Sequence, residues 1–161
     1  MNDGLSTLRR PLRQRLDDTD RRILSELTAN GRIAFAELGR RVSLSPPAVA
    51  ERVQRLERSG VITGYRAEVD PRGLGYEMTA IVRIRPAPGQ LRRIPELAAE
   101  IPAIGECHRI TGEDCFFLKV HLRSIEELSP LLDRFLAYGE TSTSLINASP
   151  IPRRDPPFGE L

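Results

Sequence analysis

Apolar positions recur along this chain with two different periods, and the change of period divides it. Over residues 16–60 they fall three and four apart, the spacing of one helical face. From residue 77 onward, stretches that alternate every second residue are separated by two further helical stretches. LDDTDRRILSEL predicts a first helix with Ile23, Leu24 and Leu27 as its apolar stripe. Asp17 suits the N-cap, and Asp18 and Asp20 lie where carboxylates meet the positive end of the helix dipole. Asn30-Gly31 ends the helix. A second helix is expected over 34–42, burying Phe35, Leu38 and Val42, with Ala34 a poor cap and Ser43-Leu44 a tight turn after it.

The third helix comes from LSPPAVAERVQRLERSG. Its two prolines start it. With Ser45 as N-cap, Pro46 and Pro47 fall at the first two helical positions, which need no amide proton, and proline's φ is already near the helical value. Gly60 stops it. At 100° per residue, Val49, Val53 and Leu56 share a buried side. Pro47, Glu51, Gln54, Arg55 and Arg58 share the opposite side, with Arg52 at the flank. Three short helices with a tight turn before a polar, basic third describe a helix-turn-helix. Its third helix is the one that enters a major groove. GVITGYRAEVD alternates and predicts a wing or exit strand, and Pro71–Gly75 a hinge.

The remainder predicts the order β-α-β-β-α-β. EMTAIVRIRP, AIGECHRITG, CFFLKVHLR and TSTSLINAS are the strands. One helix is expected from Gly89 to Ile101, with Pro95 shifting its start or kinking it. The other runs from a Ser124/Glu127 capping box to about Tyr138, with a kink at Pro130. The fold class is therefore α+β: an N-terminal winged helix-turn-helix and a C-terminal ferredoxin-like βαββαβ sandwich. We divide the chain into a basic arm at 1–15, the helix-turn-helix unit at 16–75, the sandwich at 76–150 and a proline-rich tail at 151–161. One sheet face carries both helices, and a second copy of the chain is the simplest cover for the other.

Charge sharpens this picture. The net charge of +2 conceals an excess of basic residues before residue 76 and of acidic residues after it. A basic helix-turn-helix half suits double-stranded DNA. Ser45, Pro47, Ala48, Glu51, Arg52 and Arg55 are expected to face base edges or nearby phosphates, with Arg55 on a guanine edge and Glu51 on a cytosine amine. Arg40, Arg41, Arg58 and Arg66 are expected on phosphates. Other chemistries find little footing. Cys107 and Cys115 fit no zinc or CxxC spacing, and His108 and His121 are far apart, so no metal, cofactor or catalytic residue is expected. No apolar run is long enough to span a membrane, and the N-terminus has no apolar signal segment; a cytoplasmic protein is expected.

Four stretches, in this order, carry a resemblance: LDDTDRRILSEL, ELGRRVSLSPPAVAERVQRLERSGVITGYRAEVD, ITGEDCFFLKV and TSTSLINASPI. Over residues 16–152 the chain resembles the Lrp/AsnC (leucine-responsive/asparagine, feast/famine) transcription regulators. The resemblance implies a sequence-specific regulator of promoter DNA and a homodimer built through the sandwich domain, assembling to tetramers or octamers. It further implies an amino-acid or small-metabolite effector held where dimers meet. It places that effector against Thr111, Gly112, Glu113, Asp114 and Cys115, with Thr141, Ser142, Thr143 and Ser144 lining the pocket from a neighbouring subunit. Glu113 or Asp114 would meet the effector's ammonium; amides around Gly112 and the hydroxyls of Thr141, Thr143 or Ser144 would meet its carboxylate. The chain departs from the family pattern with a thiol at Cys115 where an acid is frequent, Gly39 for a small alanine, Ser43 for a turn glycine and Ala34 for a polar cap. The alternatives are an architectural DNA-binding protein without ligand response, or a decarboxylase of related fold resting on His108, Arg109 and His121.

Overall fold

The computed structural model describes residues 15–151, 153, 154, 156 and 157. The basic arm expected at 1–15 lies outside them apart from Arg15, and so does much of the 151–161 tail. The chain divides into two compact units with the junction between Ala67 and Glu68.

The first unit holds α1 (Asp18–Ala29), α2 (Phe35–Val42) and α3 (Pro46–Arg58). Asp17 caps α1: its Oδ1 accepts from the Asp20 amide at 2.7 Å, and Asp20 Oδ2 accepts in return from the Asp17 amide at 3.3 Å. The apolar stripes meet as expected. Ile23, Leu24 and Leu27 pack with Leu38 and Val42 and with Val49, Val53 and Leu56. Phe35 departs from expectation. It sits at the first position of α2, beyond the end of that core, and is 42% exposed.

The turn between α2 and α3 is unusually close. Ser43 adopts the left-handed conformation at φ 61°, and a Cβ on Gly39 would lie 2.5 Å from the Leu44 carbonyl oxygen. Gly39 is therefore a requirement of this turn, and Ser43 bears strain that a glycine would not. The wing segment also differs from expectation. Residues 63–70 pair with no strand among the described residues; Tyr65 and Val69 are exposed.

The second unit holds β1 (Met78–Pro86), α4 (Arg93–Ala99), β2 (Ile104–Arg109), β3 (Phe116–Leu122), α5 (Leu128–Leu136) and β4 (Gly139–Leu145). Its sheet order is β2-β3-β1-β4, all antiparallel, which is the ferredoxin-like arrangement expected. Ala80, Val82, Ile84, Phe116, Leu118, Val120 and Leu122 face the helices. Ile94, Leu97 and Ala98 of α4, and Leu131 and Phe135 of α5, close over them. Each such large side chain contributes roughly 1.5–3 kcal/mol by leaving water.

Neither proline kinks its helix. Pro95 and Pro130 both occupy the third position, where the amide has no intrahelical partner to lose. The helices begin later than the apolar pattern predicts for that reason. The Ser124/Glu127 capping box is not formed: Glu127 Oε2 accepts from the Arg123 amide at 2.9 Å, and a 3₁₀ turn at Ile125–Glu127 precedes α5. β4 also stops at Leu145, short of the predicted Ser149.

Candidate DNA interface and effector loop

The end of α3 nearest a potential DNA partner is built from its cap. Ser45 Oγ accepts from the Ala48 amide at 3.4 Å, with Pro46 and Pro47 at the first two positions. Val49, Val53 and Leu56 are buried, and Pro47, Glu51, Gln54, Arg55 and Arg58 are exposed on the opposite side, as the spacing predicts. The side chains of Glu51, Gln54 and Arg58 make no hydrogen bond or ion pair with other described residues, and neither does that of Arg66. A shallow hollow of about 190 Å³ lies between Ala48, Glu51, Arg52 and Arg55.

The remaining arginines are engaged inside the unit. Arg52 Nη1 donates to Asp17 Oδ2 at 2.7 Å and to Asp20 Oδ1 at 2.9 Å. Arg55 Nη2 donates to both oxygens of Asp20, at 2.6 and 2.8 Å. Asp20 is 1% exposed, and Arg52 and Arg55 are 28% and 43% exposed. The bond from Arg52, with that from the Asp20 amide, holds the Asp17 carboxyl below its ordinary pKa. The sequence reading assigned Arg52 and Arg55 to DNA and left Asp20 to the helix dipole. The structure joins them into one cluster, because the α1 N-terminus and the side of α3 meet there. The signal was present: Asp20, Ile23, Leu24 and Leu27 fall at i, i+3, i+4 and i+7, which puts a carboxylate on the apolar stripe. A buried carboxylate demands a cation.

Arg41 is similarly employed. Its guanidinium bridges Glu37 and Glu26, each at 2.8 Å, and so ties α2 to α1. The Glu37 carboxyl is held below its ordinary pKa chiefly by that hydrogen bond from Arg41. Arg40 also pairs with Glu37, but its side chain remains largely exposed. Beyond α3, Tyr65 Oη donates to Glu57 Oε1 at 3.0 Å and keeps the chain before Arg66 against the helix. Burial first, then the Glu57 carboxylate, pushes the Tyr65 phenol up to about 12, so it remains a donor at neutral pH.

In the sandwich unit, the loop between β2 and β3 is closed by Ile110 N–H donating to the Cys115 carbonyl at 2.8 Å. Gly112 sits at φ 112°, a conformation suited to glycine. Thr111, Gly112 and Glu113 are exposed, and Asp114 and Cys115 half-buried. Arg85, on β1, was not foreseen as part of this site. It donates to Glu113 Oε2 at 2.6 Å and lies 3.5 Å from Asp114 and 3.8 Å from Glu140.

The four hydroxyls of β4 do not act together. Thr141 lies opposite Ile84 and Thr143 opposite Val82, on the helix-covered face. Ser142 lies opposite Arg83 and Ser144 opposite Ile81, on the other face. The sequence reading grouped Thr141, Thr143 and Ser144 as carboxylate donors; strand alternation separates Ser144 from the two threonines. The buried Thr143 hydroxyl has no hydrogen-bond partner among the described residues. A larger cleft, of about 460 Å³, lies elsewhere in the unit between Asp70–Arg72, Tyr76, Glu77, Thr79 and Ile146–Ser149, and none of the expected effector residues lines it.

Comparison with known proteins decides what this arrangement is. The AsnC-type helix-turn-helix domain matches residues 16–57, and the Lrp/AsnC ligand binding domain matches residues 79–156. The chain belongs to the Lrp/AsnC family. LrpC of Bacillus subtilis is 36% identical over 132 residues, covering 82% of this chain and 92% of LrpC. Rv2324 of Mycobacterium tuberculosis, an HTH-type transcriptional regulator, is 40% identical over 149 residues, covering 89% and 99%. Among solved structures, B. subtilis LrpC superposes with a TM-score of 0.81 at 34% identity, covering 84% of this chain and 97% of that one. The transcriptional regulator NMB0573 of Neisseria meningitidis, crystallised as an L-Met complex, gives 0.80 at 25% identity, covering 86% and 94%. This Lrp/AsnC protein is thus a DNA-binding transcriptional regulator. Among its described residues, no helix is long and apolar enough to cross a membrane.

Proposed function

We propose that the protein is a homo-oligomeric, cytoplasmic regulator that reads double-stranded promoter DNA with α3 and is tuned by an amino acid bound at the Thr111–Cys115 loop. The observation that carries the reading is the exposed polar side of α3, with Glu51, Gln54 and Arg58 unpaired among the described residues and the helix opened by a Ser45 cap. Arg58 and Arg66, also unpaired among the described residues, and the largely exposed Arg40 supply phosphate contacts.

The effector reading is supported by the loop's chemistry and by the L-Met complex of NMB0573. Glu113, Asp114 and Glu140 surround the single guanidinium of Arg85, which leaves negative charge to spare for an effector's ammonium. Such an effector acts only through a difference in its affinity for two assemblies. Neither α4 nor α5 covers the sheet face that carries Ile81, Arg83, Phe117, Lys119, Ser142 and Ser144, and a second copy of the chain is the cover we assign to it, with dimers building tetramers or octamers. The reading contains no catalytic step. His108 lies opposite Phe117 and Arg109 opposite Phe116, so these two side chains point to opposite faces, with His121 on the face of His108.

Fluorescence anisotropy tests the proposal. DNA from upstream of the protein's own gene is compared with a scrambled duplex, across salt, with and without pooled amino acids. Preference for the upstream duplex, altered by the pool, is the expected result. Equal binding to both duplexes overturns sequence specificity, and indifference to the pool overturns the effector.

A further inference from the structure

The side chains of α3 that carry most positive charge are not the ones free to read bases. Arg55 places one nitrogen on both oxygens of Asp20, and Arg52 bridges Asp20 and Asp17. If both arginines turned to DNA, Asp20 would be left as an unpaired carboxylate at 1% exposure, a state that proteins avoid strongly. Glu51 lies one turn before Arg55 on the same helix, the usual spacing for an ion pair, yet Arg55 goes to Asp20 instead. That leaves the Glu51 carboxylate exposed and without a partner among the described residues, at the rim of the hollow between Ala48, Arg52 and Arg55. An unpaired carboxylate on a surface that meets phosphates repels DNA in general. It becomes favourable only where a base offers it a hydrogen-bond donor in the major groove; cytosine N4 is the donor that suits a carboxylate, because adenine N6 stands beside the N7 acceptor, which repels a second acceptor. Gln54, exposed and unpartnered on the same side, can both donate and accept, which matches the adenine N6/N7 edge.

Resting on the DNA-reading role of α3, we infer that Glu51 and Gln54 are the specificity-determining residues of this regulator, and that Arg52 and Arg55 are positioning residues. The Asp17–Asp20–Arg52–Arg55 cluster sets the angle of α3 against α1. Glu51 selects a cytosine amine and rejects sites without one, and Gln54 selects an adenine. Its sites are therefore marked by a C and an A in each half, and not by guanine-directed arginine contacts from positions 52 and 55.

The test is enrichment of binding sites from a random duplex library by the full-length protein, repeated with Glu51→Gln, Gln54→Ala, Arg55→Lys and the neutral pair Asp20→Asn/Arg55→Gln. Glu51 and Gln54 are exposed, so their variants fold. The wild-type motif is expected to contain the cytosine. Glu51→Gln is expected to lose about tenfold discrimination at that one position while binding scrambled DNA more tightly. Gln54→Ala is expected to lose the adenine alone. Arg55→Lys is expected to keep every base of the motif, which a bidentate guanine contact would not, and the neutral pair is expected to keep both the motif and the wild-type salt slope, which a base or phosphate contact from Arg55 would not. A motif unchanged by Glu51→Gln overturns the inference, and so does loss of a guanine with either Arg55 variant. If the wild-type protein enriches no motif at all, the sequence-specific reading itself fails, an outcome separate from a motif read by other residues.

Discussion

Replacing Arg52 and Arg55 singly and together should expose how tightly the α1–α3 cluster is coupled. Asp20 is desolvated and takes three short contacts from the two guanidiniums, at 2.9, 2.6 and 2.8 Å. Arg55→Ala leaves Asp20 with Arg52, and Arg52→Ala leaves it with Arg55. Each single change therefore removes one charge-assisted partner, a loss of about 1–2 kcal/mol once the exposure of the arginines is allowed for. The double change strands a buried carboxylate, which costs about 4–5 kcal/mol. Taken at mid-range, the double change exceeds the sum of the singles by about 1–2 kcal/mol, and that excess is the coupling a shared buried charge produces. Adding Asp20→Ala to the double variant should then restore part of the loss, because the orphaned charge has gone. Urea titration followed by far-UV circular dichroism gives the totals, and hydrogen exchange at α1 and α3 amides assigns them to the helical unit. Losses that simply add, or a triple variant no more stable than the double, would refute the argument that Asp20 is the organising charge.

Four further outcomes follow from the same structure. Ser43→Gly should raise stability by about 0.5–1 kcal/mol by relieving the left-handed backbone, whereas Gly39→Ala should lower it by about 1–3 kcal/mol through the approach to Leu44; thermal melts of the two variants must move in opposite directions. Arg58→Ala and Arg66→Ala should each reduce the slope of log binding against log salt by about 1, with little change in sequence preference, while Arg41→Ala should lower stability more than the slope. The Asp17 carboxyl titrates lower in the folded protein than its ordinary value of 3.8, so its stabilising contribution is complete above that value and is lost as pH falls through the folded pKa. Asp17→Asn should flatten the fall in Tm below about pH 4, and a slope identical to wild type would contradict the Arg52 bond. Arg85→Ala should loosen the Thr111–Cys115 loop, seen as faster amide exchange there, and strengthen or weaken the effector response without altering effector-free DNA affinity.

Much of this molecule is written in local sequence. Three helices, their caps, the initiating role of Pro46 and Pro47, and the βαββαβ order all follow from spacing and from which backbone amides need partners. Such signals are local because a helix face or a strand alternation repeats within a few residues. Other features turned either on local backbone requirements that periodicity does not weigh or on partners far along the chain. Pro95 and Pro130 determined where α4 and α5 begin, since each proline fits only where its missing amide bonds nothing. Segment 63–70 has the alternation of a strand but pairs with no strand among the described residues, and alternation alone forms no ladder. The ion pairing of the α3 side chains was decided by tertiary structure as well. The sequence determined that Arg52, Arg55, Glu51 and Gln54 leave α3 away from its core. Only the meeting of α3 with the first turn of α1, 35 residues away for Asp20 and Arg55, decided that the arginines are held by a buried carboxylate and that Glu51 and Gln54 are left free. Charge pairing in a desolvated site is set by proximity in space, and sequence spacing does not carry it.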